Sequence, residues 1–271
     1  MTFLQQKLGK NYKWWYFVVY YIKTSTSTLR GNFFNILSEL VKILAVIYIW
    51  YFSGSAIETF SYLLIGQIFK SLGEFYFYNS FSDTIISGKL TPKLLNPISL
   101  VASYWVGGIG KRIPYNLVET IAPVLAAIIF VLLTGQNIFL NINFGGLAII
   151  LILFIPLAFS INFLLGYTIG SLAFFIDDKR DSWGINNTAN NFISVFRGTI
   201  IPLDKIPWQH FFTSLPFSFS LHHPMQIYLG KYSQAEIVQT FFGGILWCLG
   251  LWILARLVFK AGLKHNEAVG L

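Results

Sequence analysis

Charge is what this sequence has least of. Lys, Arg, Asp and Glu together make up 11% of its 271 residues, less than half the roughly 25% of an ordinary soluble domain. A water-facing surface of normal size cannot be built from so little. Acid is scarcer still, with 11 Asp and Glu against 19 Lys and Arg and a formal charge of +8. The basic residues are spread through short segments between apolar runs, which argues against a nucleic-acid-binding stripe. The single cysteine, Cys248, lies within an apolar run; it can form no intrachain disulfide and belongs to no metal-binding pattern. No His, Cys and carboxylate cluster stands at ligand spacing, and Gly-x-Ser-x-Gly is missing, so neither a metal centre nor a hydrolase nucleophile is expected. Met1 to Lys13 carries Lys7, Lys10 and Lys13 but runs into aromatic residues broken at Lys23, with no small-residue cleavage site. A removable signal peptide is therefore not expected.

What is present is apolar. Hydrophobic residues make up 55% of the chain and the mean hydropathy is +0.62, a composition that needs lipid as solvent. Trp14, Trp15, Trp50, Tyr51, Trp105, Trp183 and Trp208 gather near the ends of apolar runs, where amphipathic rings favour the headgroup layer. A spanning helix needs about 20 apolar residues at about 1.5 Å rise each. Runs at about 33–53, 60–81, 114–133, 147–176 and 238–258 satisfy this, and a more polar sixth lies at 183–201. Pro156 is placed to kink the fourth. If the amino terminus is cytoplasmic, the inner side receives fourteen Lys and Arg and the outer side only Lys205 and Lys231. The positive-inside rule then puts both termini in the cytoplasm and requires an even number of spans, six. The expected fold is thus an all-α, six-span membrane protein forming one domain, without internal repeats.

Three segments lie outside these spans. Tyr12 to Leu29 mixes aromatic residues with Lys23 and a Thr/Ser run, which suits a helix lying on the inner leaflet. Residues 83–112 form a cytoplasmic stretch with room for one short amphipathic helix able to dock onto another protein. Residues 202–233 hold Pro202, Pro207, Pro216 and Pro224 among aromatic residues and read as outer interfacial or re-entrant pieces.

The polar residues of the sixth candidate span, fifth in chain order, have helical spacing. Asn187, Asn190, Asn191, Ser194 and Arg197 fall at i, i+3, i+4, i+7 and i+10, one broad stripe that must avoid lipid and would line a polar pathway or meet a partner helix. Arg197, before Pro202, has the alternative of snorkelling to headgroups. In the second span Lys70 and Glu74, four apart, share a face and neutralise each other as an ion pair. Glu39 and Lys42, three apart near the inner end of the first span, either pair in the same way or, the favoured alternative, snorkel to the headgroups, while Glu119 has no sequence-near partner. Several look-alikes carry no function. Gly107-Gly108-Ile109-Gly110-Lys111-Arg112 lacks the spacing and the Ser or Thr of a phosphate loop. His222 and His223 diverge by about 100° on a helix and suit an interfacial place better than a shared metal. Gly166 and Gly170 form a Gly-x-x-x-Gly that permits close helix approach.

Two local patterns carry a family resemblance. One runs from Ile86-Ser87-Gly88-Lys89-Leu90 through Leu94-Leu95-Asn96-Pro97. The other is the carboxy-terminal half, with Gly198, Ile201-Pro202-Leu203, Ile206-Pro207, Leu215-Pro216-Phe217, Pro224, Leu229-Gly230-Lys231, Trp247 and Glu267-Ala268-Val269-Gly270. In these residues and in the order of its spans the chain resembles the permease subunits of ATP-binding-cassette type-2 exporters. The resemblance implies a multi-pass protein of a bacterial plasma membrane that is not itself an enzyme and binds no cofactor. It implies a dimer with a second six-span permease, identical or related, and a separate ATPase subunit that holds ATP and Mg. It assigns ATPase coupling to Ser87, Gly88, Leu90, Leu94, Leu95 and Pro97. It brings spans one, two and five near the dimer axis, so that Asn187, Asn190, Asn191, Ser194 and Arg197 border the translocation path. Two other classes share the composition: an ion-coupled secondary transporter, which would need buried carboxylates on broken helices, and a membrane-embedded lipid-modifying enzyme.

Overall fold

A computed structural model describes residues 19–20, 32–52, 57–73, 78–95, 99–135, 144–176, 178–199 and 201–268, and these are all-helical. The expected inner-leaflet helix at Tyr12 to Leu29 lies, but for 19–20, outside them, as do Glu74, Asn96, Pro97 and the tail from Val269. The helices are α1 (Asn32–Phe52), α2 (Ile57–Gly73), α3 (Tyr78–Ile86), α4 (Leu90–Leu94), α5 (Leu100–Glu119), α6 (Ile121–Thr134), α7 (Phe144–Phe175), α8 (Lys179–Phe196), α9 (Gln209–Ser214), α10 (His222–Tyr228) and α11 (Gln234–Ala268). Among the described residues, α7 and α11 are by themselves long and apolar enough to cross a bilayer, and α6 and Leu100–Gly110 are shorter apolar pieces. The other expected spans coincide with helices that are broken, shorter or carry charge.

The apolar run expected at 60–81 covers α2, described to Gly73, and α3, described from Tyr78, with 74–77 outside the described residues. The third run starts earlier than expected: α5 reaches back to Leu100 through Gly107, Gly108 and Gly110, so these glycines lie in a helix and not in a loop. Pro123 then separates α5 from α6, since it has no N–H to give the Glu119 carbonyl. Pro156 acts in the same way on α7, where the turn just before it, Ile150–Phe154, widens into a π-helix. A proline nitrogen cannot close the α ladder and its ring pushes the preceding carbonyls outward, which a π turn accommodates.

Three apolar clusters hold the bundle. Ile43 and Ile47 of α1, one turn apart, meet Phe60 and Leu64 of α2 over Ala122, Ala126 and Ala127 of α6, whose small side chains let the backbones approach. A second cluster joins α2 and α7 to α10, where residues 221–228 are all buried. Gly66 makes the space: a Cβ there would lie 3.2 Å from Met225 Cγ. The third joins α3, α4, α5, the end of α7 and the far part of α11 around Phe81. Among the described helices the most extensive packing is α7 with α11, and two glycines of α11 permit it. A Cβ on Gly244 would run into Leu157, and one on Gly262 into Phe174. By contrast Val238, Phe242, Leu246, Leu249, Ile253 and Leu257 of α11 are exposed, the surface that lipid solvates in a spanning helix.

These contacts define two ends. Residues 202–233 pack with the start of α2 and the π turn of α7, and Lys231 reaches Glu58 at 2.9 Å. The opposite end holds α3, α4, the close of α7, the start of α8 and the far part of α11. His222 and His223 are buried within the protein, 3% and 7% exposed. His222 Nδ1 lies 3.4 Å from Tyr62 Oη, while His223 is held between Tyr232 Oη and the Thr213 carbonyl, each at 2.9 Å. Partners for the ring nitrogens remove most of the cost of burying an imidazole, so two neutral rings fit where two charged ones would not.

Candidate coupling and translocation site

The nine residues of α3 send side chains to five other helices. Phe81, fully buried, stacks on Tyr167 of α7 at 4.8 Å and meets Tyr104 of α5 and Phe259 of α11. Thr84 faces α4 and α5: Lys93 Nζ donates to its hydroxyl at 3.2 Å and to Tyr104 Oη at 2.7 Å, and Tyr104 donates to Thr84 at 2.8 Å. The Lys93 ammonium also sits 4.6 Å from the Tyr104 ring centre. Ser82 donates to the Gly170 carbonyl of α7 at 3.3 Å. The Gly-x-x-x-Gly at Gly166 and Gly170 thus has α3 against its second glycine within one chain.

The remaining α3 contacts go to α8 in two tiers. Asp83 accepts from Trp183 Nε1 at 3.0 Å and pairs with Lys179 at 3.3 Å, and Lys179 lies 4.9 Å over the Trp183 ring. One turn further in, Asn186 Nδ2 donates to Asn79 Oδ1 at 2.9 Å and to Ser82 Oγ at 3.1 Å. Inter-helix hydrogen bonds in a membrane each contribute about 0.6 kcal/mol, so the set is worth on the order of 2 kcal/mol. Because such bonds are directional, they also fix the register of α3 on α8.

From α3 the chain turns at Ser87-Gly88 into α4. Gly88 has φ +67° with nothing within 4 Å of an added Cβ, so the glycine is demanded by the left-handed turn alone. Leu90 is 4% exposed and anchors α4 in the Phe81 cluster, and Lys93 ties it to α3 and α5. Leu94 and Leu95 point away, 43% and 82% exposed. A short helix thus stands fixed at the base with two bare leucines on its outer side.

Helix α8 begins at Asp178, whose carboxylate accepts from the Arg180 backbone N–H at 2.9 Å, an ordinary cap. Along it Ser182, Asn186, Ile193 and Arg197 are buried, and at about 100° per residue these fall on one line. On one side of that line lie Asn187, Asn190, Asn191 and Ser194, exposed or half-buried. On the other, Ile185 and Phe192, with Ile193 of the line itself, join Leu165, Ile169 and Phe217 around an apolar groove of about 1030 Å³, with Arg180 and Asp181 at its end.

The line of buried residues ends at Arg197, 2% exposed, whose Nη2 donates to Asn162 Oδ1 at 2.9 Å. Asn162 in turn donates to the Gly73 carbonyl at 2.9 Å and to Ser220 Oγ at 3.0 Å, while Asn116 donates to the Leu72 carbonyl at 3.3 Å. The last carbonyls of a helix have no partner within it, and here two of them are satisfied by amides from α5 and α7. The negative end of the α2 dipole also favours the nearby guanidinium. Arg197 therefore turns inward and does not snorkel. Gly198 follows at φ +86°, and a Cβ on it would meet Tyr62 Oη at 2.7 Å, so only glycine both ends α8 and admits Tyr62.

A family model described as ABC-2 family transporter protein matches residues 37–270. The chain belongs to this family. Comparison with curated proteins and with solved structures yields no match. An ABC-2 family membrane protein is a transport component and not itself the catalyst, and such permeases generally work with an ATPase subunit.

In this ABC-2 permease the residues expected at the coupling segment fall together on one turn and helix, Ser87 and Gly88 in the turn, Leu90 inward, Leu94 and Leu95 outward, with Pro97 outside the described residues. The expected path residues divide: Asn187, Asn190, Asn191 and Ser194 form one face, whereas Arg197 belongs to the buried line. Lys70 is half-buried in the last turn of α2, and its expected partner Glu74 lies outside the described residues. Glu39 and Lys42 form an ion pair at 3.2 Å on the exposed side of α1. Asp83 opens the expected cytoplasmic stretch, whereas Asn186 and Asn162 do not stand out in the sequence. Asn186 carries a signal in retrospect, since it stands four residues after Ser182 and eleven before Arg197, one helical line. Asn162 sits alone in an apolar run, and nothing near it in sequence names its partners.

Proposed function

We propose that this chain is the permease subunit of an ATP-driven exporter of a bacterial plasma membrane. Helix α4 and its flanks, Ser87, Gly88, Leu90, Leu94, Leu95 and Pro97, dock a separate ATPase, which supplies the ATP and Mg chemistry. The α8 face of Asn187, Asn190, Asn191 and Ser194 borders the path, with Arg197 at its end and a second six-span permease completing the other wall. The six spans are the runs at about 33–53, 60–81, 114–133, 147–176, 183–201 and 238–258, carried by α1, α2 with α3, α5 with α6, α7, α8 and α11, with both termini and α4 in the cytoplasm.

The observation that carries this reading is α4 itself. Leu90 and Lys93 root it in the bundle, yet Leu94 and Leu95 are left bare at an end of the molecule where lipid does not explain them, because the surrounding segment carries Lys89, Lys93, Lys179 and Arg180. Exposed leucines on a fixed short helix are what a groove in a partner takes up. The α8 face adds to it, since amides exposed on a spanning helix need water or a polar partner. The test is Leu94→Glu with Leu95→Glu in the chain co-expressed with its ATPase. Membrane insertion is expected to be normal, while the ATPase no longer co-purifies or its hydrolysis no longer drives transport. Undiminished binding and coupling would refute the docking assignment.

A further inference from the structure

The helix that carries the polar face has an unusual attachment. Of the four buried residues Ser182, Asn186, Ile193 and Arg197 on α8, three are polar, and the most extensive packing of α8 is with α3. An apolar seam between helices lets one slide or roll on the other, whereas amide and carboxylate contacts have fixed directions. Asp83 holds Trp183 and Lys179, and one turn inward Asn186 bonds Asn79 and Ser82 at once. Two tiers along one axis block both sliding and rolling. On its other side α3 is tied to α4 through Thr84, Lys93 and Tyr104. A continuous series of polar contacts therefore runs from the helix with bare leucines to the helix with the polar face.

We propose that α4, α3 and α8 move as one rigid lever, with Asn186 as the positioning residue that joins α8 to it, so that displacement of α4 by the ATPase rotates the face of Asn187, Asn191 and Ser194. This rests on the exporter reading above. Asn186 touches no transported molecule in this scheme; it acts through α8. The lever is the two-state element on which docking and path both act.

The experiment uses the full permease–ATPase complex in nanodiscs, carrying Cys248→Ser and a reporter Asn191→Cys. The probe is the rate of maleimide labelling at the reporter without nucleotide and with Mg-ATP trapped by vanadate. With the joint intact, nucleotide is expected to change the rate about fivefold or more, the lower end of ordinary allosteric coupling. Adding Asn186→Leu is expected to abolish the change while the ATPase stays bound and hydrolyses ATP. Asn186→Asp, toward which the Asn79 amide can turn and donate, is expected to restore it. Trp183→Phe, which removes only the indole donor of the outer tier, is a milder variant should Asn186→Leu not fold, and is expected to reduce the change. A full nucleotide response in Asn186→Leu or in Trp183→Phe overturns the lever while leaving the exporter reading intact. A bound, active ATPase with no response in the parent overturns it too. Failure of any ATPase to bind the parent refutes the exporter reading, and the lever with it.

Discussion

The two adjacent histidines show how one residue pair reads differently once its surroundings are known. Burial, then the nearby Lys231, pushes His222 down to about 4. Burial, then His222, pushes His223 down to about 3, against a smaller upward pull from its bond to Thr213. Both rings are neutral in the folded protein near neutral pH. The unfolded chain titrates them near 6.5, so above that value neither state gains protons and stability does not depend on these groups. Between about 6.5 and 4 the unfolded chain takes up protons that the folded one refuses, and stability falls as pH falls, by up to about 1.4 kcal/mol per unit for each ring. Thermal unfolding followed by tryptophan fluorescence should therefore drop over this window, and His223→Gln should flatten the slope. An unchanged slope in that variant would mean that His223 is not buried as a neutral ring.

Among the elements, α4 is the shortest and the most dependent on others. Five residues cannot sustain a helix in water; its place comes from Leu90 in the Phe81 cluster and from Lys93 between Thr84 and Tyr104. Lys93→Met is expected to loosen α4 by about 1 kcal/mol, since a hydrogen bond from a charged donor contributes more than a neutral one but is screened here by partial exposure. Hydrogen exchange of the amides at 89–95 should then quicken about fivefold while α7 and α11 are unaffected; no change there would mean that Leu90 alone fixes α4. Elements were also where the sequence was most and least informative. Apolar length located α1 and α7 to within three residues, because lipid leaves a long apolar run few alternatives, but it caught only the middle of α11, which starts four residues before the run at 238–258 and continues ten residues past it. It shortened α5, because the glycines near Gly108 carry no signal that separates a helix end from a helix interior. The Ser87-Gly88 turn and the two leucines of α4 were legible as a local pattern. The clasp of Asn186 on Asn79 and Ser82 was not, because a hydrogen bond across more than a hundred residues leaves no periodic trace.

At the scale of the whole molecule, the exposed large side chains of α1, α6, α7 and α11 are apolar and suit lipid, and the proposed partner surfaces lie elsewhere: the Leu94 and Leu95 end, and the amide face of α8. Both belong to one connected set of helices, α4, α3 and α8, and both are placed for partners in the proposed exporter, an ATPase at the first and a second permease around the second. Arg197, Asn162 and the end of α2 tie that set to the rest of the bundle, so a movement at α4 has a fixed body to work against. Everything in this account depends on α4 lying on the side of the membrane where ATP is found. The direct measurement is labelling of Leu95→Cys, in a Cys248→Ser background, with a membrane-impermeant maleimide. Inside-out vesicles should label and intact cells should not; labelling from outside intact cells would contradict the account.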